Sequence, residues 1–244
     1  MQKIIVSSES EGVKIAKEKI YQFTDKKTAL FLSGGSTPKL LYQKLARERK
    51  LRVGAVAMVD ERFGLPFHPT SNELSIKNTG LLAYFKKENI KFYSMLKIRK
   101  KRGELAKEYD ELTRSIFHRF KKRITILGLG VDGHTASIAP DRLDFKNPLF
   151  KKERKNLFVS EFRDPKLMSK EGSPAPPFGF GERITLTIHA LSQMDFLILL
   201  VFGKEKKKAL KLMFSKGSIE EIPARSLKTP KVSKKTLLIT DQKI

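Results

Sequence analysis

The chain has 244 residues, of which 40% are hydrophobic, which suits one large folded domain, or at most two small ones, rather than a disordered chain. It contains no cysteine, which excludes disulfides, thiolate nucleophiles and cysteine-ligated metal sites. Lysine and arginine number 50 against 26 aspartate and glutamate residues, and the resulting net charge of +24 favours contact with anions.

The positive charges are spread along the whole chain, in short runs such as 97–102, 151–155 and 206–208. We find neither an aromatic RNA-binding motif nor a zinc finger, so we expect weak non-specific polyanion binding and no specific nucleic-acid partner. The longest apolar run, 196–202, is far shorter than the roughly 20 residues that span a bilayer. With no secretory signal pattern at the start of the sequence, we expect a cytoplasmic protein without a membrane partner.

Buried-strand patterns recur along the chain and alternate with helical patterns. We predict strands at 3–7, 28–32, 54–59, 90–95, 123–127, 157–161, 196–202 and 236–239. Several of these are continuous apolar runs, which are typical of parallel strands covered on both faces. Helical spacing between them, as in Leu105, Tyr109, Leu112 and Ile116, predicts a single α/β domain over 1–244 with a doubly wound, mainly parallel sheet and helices on both faces. Ligands of such sheets bind beyond the carboxyl ends of the strands.

The strand predicted at 28–32 runs into a loop of small and hydroxylated residues before a helical pattern. The loop consists of Ser33, Gly34, Gly35, Ser36, Thr37 and Pro38. Pro38 suits the first position of the helix and Thr37 or Ser36 its N-cap. Two glycines bring backbone N–H groups close to a ligand, which favours a phosphate site over an ordinary tight turn. The loop has neither Walker nor GxGxxG spacing, so no nucleotide is implied.

The strand predicted at 54–59 ends in the charged triplet Asp60, Glu61 and Arg62. Charged groups at a strand's carboxyl end lie where catalytic groups of this architecture occur, although a surface turn with a local ion pair is the alternative. Residues 68–72 then predict a shaped loop, with Ser71 or Asn72 capping the next helix.

Residues 128–137, GLGVDGHTAS, follow the strand predicted at 123–127. Asp132 lies two residues before His134, so its carboxylate is able to orient the imidazole, which suits a general base. The four histidines show no metal-ligand spacing.

Two cations follow a loop that extends from Asp164 to Gly181 and contains four prolines. We interpret this segment as a long active-site loop. Arg183 stands at its exit, where a guanidinium suits bidentate phosphate binding. Lys206 stands in the first turn of a helix, where a cation is favoured only beside an anion.

The segments LSGGSTPKLLYQKLA, VDERFGLPFHPTSN, ILGLGVDGHTASIAP, RITLT and GKEK, in this order, resemble the 6-phosphogluconolactonases. These share a superfamily with the glucosamine-6-phosphate isomerase/deaminases. The resemblance implies a Rossmann-like fold and hydrolysis of 6-phospho-D-glucono-1,5-lactone to 6-phosphogluconate in the oxidative pentose phosphate pathway. The sequence departs from the family pattern at two places. The loop after Arg62 is one residue longer, and Ile-Ala-Pro replaces Leu-Phe-Pro at 138–140.

The resemblance also implies roles for individual residues. His134 would activate water, with Asp132 orienting it and Arg62, beside Asp60, stabilising charge on the substrate. The phosphate would be held by Ser33, Gly34, Gly35, Ser36, Thr37, Arg183 and Lys206. No cofactor or metal is implied, because a lactone is already a reactive ester. The substrate is the expected partner, and the chain is expected to be a monomer or small homo-oligomer.

Three alternatives stay open. In the sister isomerase/deaminases the block after the histidine resembles HIAFNEP, and Ala139 stands here in place of its proton-handling glutamate. This favours a lactonase over an isomerase or deaminase. A sugar-phosphate sensor would carry an added helix-turn-helix, for which the chain has no spare length. A polyanion-binding protein would lose affinity steeply with salt.

Overall fold

The protein is described here from a computed structural model that covers residues 1–164 and 181–243. A seven-stranded sheet lies at its centre, and every neighbouring pair of strands in it is parallel. The strand order is β1 (Gln2–Ile5), β10 (Thr236–Thr240), β9 (Phe196–Val201), β6 (Lys122–Gly128), β2 (Thr28–Leu32), β3 (Ala55–Met58) and β5 (Lys91–Tyr93).

The apolar runs in the sequence account for this parallel sheet. Every residue of β2, β3 and β10 is buried. Because successive side chains of a strand point to opposite faces, complete burial means that both faces of these strands are covered. The predicted doubly wound, mainly parallel sheet is confirmed.

Helices connect the strands and cover the sheet. They are α1 (Glu9–Phe23), α2 (Lys39–Glu48), α3 (Asn72–Lys77), α4 (Leu81–Lys87), α5 (Arg102–Arg119), α6 (Ile188–Ser192), α7 (Lys207–Phe214) and α8 (Pro230–Ser233). Ser71 caps α3 by accepting a hydrogen bond from the Leu74 backbone N–H at 3.0 Å. Of the two caps predicted for this helix, Ser71 and Asn72, the structure therefore has Ser71. The predicted cap of α2 is wrong, because α2 begins at Lys39 after Pro38 and has no side-chain cap.

The centre of the sheet is a topological switch point. β2 and β6 are neighbours, and the chain continues from β2 to β3 and β5 on one side. From β6 it continues to β9 and β10 on the other side. The loops that follow β2 and β6 therefore diverge at the carboxyl edge of the sheet and leave a crevice between them.

A second, antiparallel sheet has the order β4 (Asp60–Arg62), β8 (Glu182–Leu186) and β7 (Val159–Arg163). The sequence did not predict β4 or β8 as strands, and it grouped β7 with the strands of the parallel sheet. Each of these strands is short and contains charged residues, and β4 consists of charged residues alone, so none has the continuous apolar run of a central parallel strand. The predicted active-site loop lies mostly at 165–180, outside the described residues, while its two ends meet through a 2.8 Å hydrogen bond from Asp164 N–H to the Gly181 carbonyl.

Candidate active site

A cleft with two lobes lies at the carboxyl edge of the parallel sheet. The amide lobe, about 220 Å³, is lined mainly by residues 33–38, residues 128–131 and Lys206. The arginine lobe, about 250 Å³, is lined by Arg62, Arg142 and Arg183 together with Phe162 and Asp164. Both lobes are bordered by Gly34, Gly35, Asp60, His134 and Ser137. The shared walls make them two halves of one cleft.

The amide lobe is built mainly from backbone. No described residue accepts a hydrogen bond from the N–H groups of Gly34, Gly35, Ser36 or Thr37. Gly35 has φ of +88°, a conformation that L side chains rarely adopt. The buried Ser33 hydroxyl also has no partner among the described residues. Unpaired amides and a hydroxyl around one cavity are the features of an anion site.

Lys206 adds a positive charge to the wall of the amide lobe. It is the last residue of a short 3-10 turn, Lys204–Lys206, and immediately precedes α7. No acidic side chain among the described residues forms an ion pair with Lys206. Its position before a helix is favourable only beside an anion, as the sequence predicted.

Asn72 links the two lobes. Its amide Nδ2 donates to the Asp60 carbonyl at 2.8 Å and to Asp60 Oδ2 at 3.1 Å, while its Oδ1 accepts from Arg62 Nη1 at 3.1 Å. Gly34 packs directly against it, and a Cβ at Gly34 would overlap the Asn72 side chain. The loop after β2 therefore approaches Asn72 and β4 as closely as it does only because residue 34 is a glycine.

The antiparallel sheet explains why the charged triplet is divided between two environments. Asp60 lies opposite Thr185, and Arg62 lies opposite Arg183. Because side chains alternate along a strand, Asp60, Arg62 and Arg183 project from the face that borders the cleft. Glu61 projects from the other face and is fully buried. The triplet is neither a surface turn nor a single cluster of charges in the cleft.

Glu61 holds the start of α3 in place. Its carboxylate accepts backbone hydrogen bonds from Arg62 at 2.6 Å, Asn72 at 2.7 Å and Glu73 at 2.9 Å. Burial raises the pKa of Glu61 to about 8, although these hydrogen bonds act in the opposite direction. Glu61 thereby fixes Asn72 and the backbone beside Arg62 from behind the cleft.

His134 and Asp132 form a hydrogen-bonded pair in the wall of the cleft. The distance from His134 Nδ1 to Asp132 Oδ1 is 2.6 Å. Burial alone would raise the pKa of the Asp132 carboxyl, but the hydrogen bonds and charge of His134 outweigh it and lower that pKa to about 2. Asp132 is therefore an ionised acceptor at neutral pH, so Nδ1 carries the proton and Nε2 of the neutral ring has a lone pair. No described residue forms a hydrogen bond with Nε2.

The turn after His134 is held in an unusual backbone conformation. Ala136 and Ser137 have φ of 50° and 54°, the left-handed region that non-glycine residues seldom occupy. Thr185 donates its hydroxyl to the Ala136 carbonyl, and Ser137 donates its hydroxyl to Asp60 Oδ2. These contacts connect His134 to both β4 and β8, and such over-determined strain is typical of functional sites.

Gly130 makes room for the histidine–aspartate pair. A Cβ at this position would overlap His134 Nδ1 and come within 2.7 Å of Asp132 Oδ1. The Gly130 N–H also donates to the His134 carbonyl at 2.8 Å, which closes the loop on itself. Gly128, at the end of β6, has nothing within 4 Å of the equivalent Cβ. Of these two glycines, only Gly130 is required for the geometry of the His134–Asp132 pair.

The arginine lobe contains guanidinium groups in different states. Arg142 Nη2 lies 3.2 Å from Asp164 Oδ2, so its charge is paired. Arg62 Nη1 donates to the Thr70 carbonyl at 2.6 Å and to Asn72, both of which are neutral. The Arg183 guanidinium makes no hydrogen bond or ion pair with any described residue, and burial, followed by repulsion from Arg62, lowers its pKa to about 10. Arg62 and Arg183 thus remain charged at neutral pH without a carboxylate bonded to them.

All the residues predicted from the sequence border this cleft, but they are divided between its lobes. Lys206 and residues 33–37 meet in the amide lobe, whereas Arg183 lies in the arginine lobe beside Arg62. The sequence assigned no catalytic or binding role to Asn72, Ser137, Arg142 or Asp164, although it offered Asn72 as a helix cap and placed Asp164 at the start of the predicted active-site loop. Ser137 ends the segment GLGVDGHTAS and Asn72 ends the segment VDERFGLPFHPTSN, so both lay in motifs that pointed to the site. Asp164 begins the predicted active-site loop, whereas Arg142 lies in no motif.

Two further observations concern the described residues only. No group of three or more histidine, aspartate or glutamate side chains there is arranged to hold a metal ion. None of the helices within 1–164 and 181–243 combines the length and apolarity that a bilayer crossing requires.

Comparisons with known proteins agree with the resemblance found in the motifs. A family model described as "Glucosamine-6-phosphate isomerases/6-phosphogluconolactonase" matches residues 10–237. The 6-phosphogluconolactonase of Xylella fastidiosa is 29% identical over 204 residues, which span 82% of this chain and 77% of that protein. The crystal structure of 6-phosphogluconolactonase from Thermotoga maritima has a TM-score of 0.67 and 25% identity, covering 98% of this chain and 97% of that one.

The same fold occurs in a relative with the sister activity. A solved monomeric glucosamine-6-phosphate deaminase has a TM-score of 0.73 and covers 98% of this chain and 97% of that one, at 17% identity. That likeness concerns the fold alone. The matched motifs, the family model and the shared architecture lead to one conclusion: the chain belongs to the glucosamine-6-phosphate isomerase/6-phosphogluconolactonase family.

Proposed function

We propose that this enzyme hydrolyses 6-phospho-D-glucono-1,5-lactone to 6-phosphogluconate, the lactone-opening step of the oxidative pentose phosphate pathway. The observation that carries the proposal is the His134–Asp132 pair, whose imidazole borders both lobes of one cleft and whose Nε2 has no described partner. The name shared by the relatives supports the same reaction.

The amide lobe suits the 6-phosphate. Residues 34–37, whose four N–H groups have no acceptor among the described residues, line one cavity together with Ser33 and Lys206. Donors of this kind bind a phosphate monoester through charge-assisted hydrogen bonds. The sugar ring then extends from this lobe across His134 toward the arginine lobe.

In the proposed reaction, His134 Nε2 takes a proton from a water molecule as the water oxygen attacks C1 of the lactone. The C1 carbonyl becomes a tetrahedral oxyanion, which Arg62 stabilises. The bond between C1 and the ring oxygen then breaks, and the imidazolium returns its proton to that oxygen. The product carries a hydroxyl at C5 and a carboxylic acid at C1, which ionises at neutral pH.

Asp132 and Asp60 have supporting roles in this proposal. Asp132 keeps the proton on His134 Nδ1 and stabilises the imidazolium that forms, the role of a carboxylate in a catalytic triad. Asp60 accepts hydrogen bonds from Ser137 and Asn72, and thereby positions the turn after His134 relative to Arg62.

Ala139 favours the lactonase over the deaminase. It borders the arginine lobe, where the isomerase/deaminase pattern has a glutamate for carbon-bound proton transfer. Hydrolysis of a lactone moves no carbon-bound proton, so it needs no such acid.

The proposal is tested with freshly generated 6-phosphogluconolactone. Acid release above the spontaneous rate, measured at constant pH, is the expected result, and a parallel ammonia assay on glucosamine 6-phosphate should give no signal. Ammonia release without lactone hydrolysis would replace the proposal by the sister activity.

A further inference from the structure

The arginine lobe contains a pair of like charges that the phosphate does not explain. Arg62 and Arg183 are direct partners across the β4–β8 ladder, so their side chains leave the sheet side by side on the face of the cleft. Like charges placed directly opposite in an antiparallel ladder destabilise it. Neither guanidinium forms an ion pair with a described residue.

Nearby acids do not neutralise the pair by contact. Asp60, Glu61 and Asp164 lie close enough to favour the charged form of Arg183, yet none of them bonds to it. Asp60 is occupied by Ser137 and Asn72, and Asp164 by Arg142. The repulsion from Arg62 and the burial of Arg183 both lower the pKa of Arg183. An anion bound between the two guanidinium groups would favour their charged forms and so oppose both causes of the lowered pKa.

The proposed reaction produces such an anion at the required end of the molecule. With the phosphate in the amide lobe, C1 lies at His134, on the border of the arginine lobe. Hydrolysis converts the C1 carbonyl into a carboxylate, whose planar oxygens match paired N–H donors.

We infer that Arg62 and Arg183 together form a carboxylate subsite, which binds the C1 end of the product and selects sugar phosphates oxidised at C1. This inference rests on the proposed function and moves Arg183 from the phosphate to the opposite end of the substrate. It also makes the enzyme bind its product through both lobes, so 6-phosphogluconate should be a competitive inhibitor.

The test compares two ligands that differ only at C1. Calorimetric titration measures Kd for 6-phosphogluconate and for glucitol 6-phosphate, which has a neutral alcohol in place of the carboxylate. The wild type should bind 6-phosphogluconate at least about 10-fold more tightly, the size of a charge-assisted contact. In Arg183→Gln this preference should fall below about 3-fold, with Kd for glucitol 6-phosphate nearly unchanged.

Two further variants complete the comparison. Lys206→Ala should weaken both ligands by the same factor, because both carry the phosphate. Arg183→Lys retains the charge without the planar fork, so it should retain part of the preference and guards against a folding defect in Arg183→Gln. Thermal melting should show Arg183→Gln no less stable than the wild type, since a repulsion is removed.

The outcomes that overturn the inference are distinct from failure of the proposed function. Equal weakening of both ligands by Arg183→Gln, in an enzyme that hydrolyses the lactone, would return Arg183 to the phosphate and overturn only the inference. A wild type that binds both ligands equally would overturn it as well. A wild type that neither binds these ligands nor releases acid from the lactone would overturn both.

Discussion

The two lobes of the cleft differ in what lines them. The amide lobe has consecutive backbone N–H groups in a loop that directly follows β2, with a glycine at 34, where a Cβ would overlap Asn72, and another at 35, where φ is positive. The arginine lobe relies on side chains from β4, β8 and the loop at 140–142, which only the antiparallel sheet brings together. A backbone site is therefore encoded locally, whereas a side-chain site depends on the register of distant strands.

The largest expected effect comes from His134, one of the residues that border both lobes. His134→Ala should lower kcat by at least about 100-fold, because general-base catalysis contributes about 10²–10⁴-fold. Acid release from the lactone measures the effect, and circular dichroism checks the fold. His118→Ala, an exposed histidine on α5, is the matched control and should retain full activity. Near-normal turnover by His134→Ala would remove the imidazole from the mechanism.

A glycine substitution tests whether the histidine–aspartate pair depends on the absence of a side chain at residue 130. Gly130→Ala should lower kcat by about 10- to 100-fold, because the new Cβ displaces the His134 ring and small misplacements of a catalytic group cost that much. Gly103→Ala, in the first turn of α5 and outside both lobes, adds the same methyl group where nothing lies within 4 Å, and it should stay within about 3-fold of the wild type. Equal effects of the two substitutions would contradict the steric account.

A substitution of Lys206 tests the proposed phosphate contact of the amide lobe separately from catalysis. Lys206→Ala should raise KM for the lactone by about 10-fold with little change in kcat, because phosphate contacts are equally strong in the ground and transition states. Steady-state kinetics measure both constants. Lys207→Ala, which removes an exposed charge from the adjacent position, should leave KM unchanged. A fall in kcat alone after Lys206→Ala would exclude a phosphate-binding role.

The smallest expected effect on activity comes from Glu61, which holds the start of α3 behind the arginine lobe. Its test is the pH dependence of the free energy of unfolding. Its pKa is raised from 4.5 to about 8, so the folded protein retains a proton that the unfolded chain releases. The free energy of unfolding should therefore fall as pH rises from about 4.5 to 8, by up to about 1.4 kcal/mol per pH unit for one proton.

Glu61→Gln should reduce that slope, and Glu73, whose pKa is also raised by burial, should account for part of what remains. Denaturant unfolding between pH 5 and 8 measures the slope, with the exposed Glu111→Gln as control. A variant that keeps the wild-type slope would show that Glu61 does not titrate in this range.

The sequence predicted the parallel sheet well because its strands carry their own signal. β2 was predicted with the bounds that it has, and each of the other predicted strands is present within a few residues. β4 and β8 were missed because both are short and begin with charged residues, and a few charged residues in a row resemble a surface turn. The cap predicted for α2 failed because the hydroxyls of its loop line the amide lobe or lie beside it rather than cap the helix.

By itself the sequence determined the fold class, the family resemblance, the amide lobe and the Asp132–His134 pair. Each of these depends on residues that are neighbours in the chain, where spacing alone fixes geometry. Only the tertiary structure decided that Glu61 turns away from Asp60 and Arg62, and that Arg183 faces Arg62 rather than Lys206. Strand register sets those relations, and pairing between strands far apart in sequence leaves no local pattern to detect.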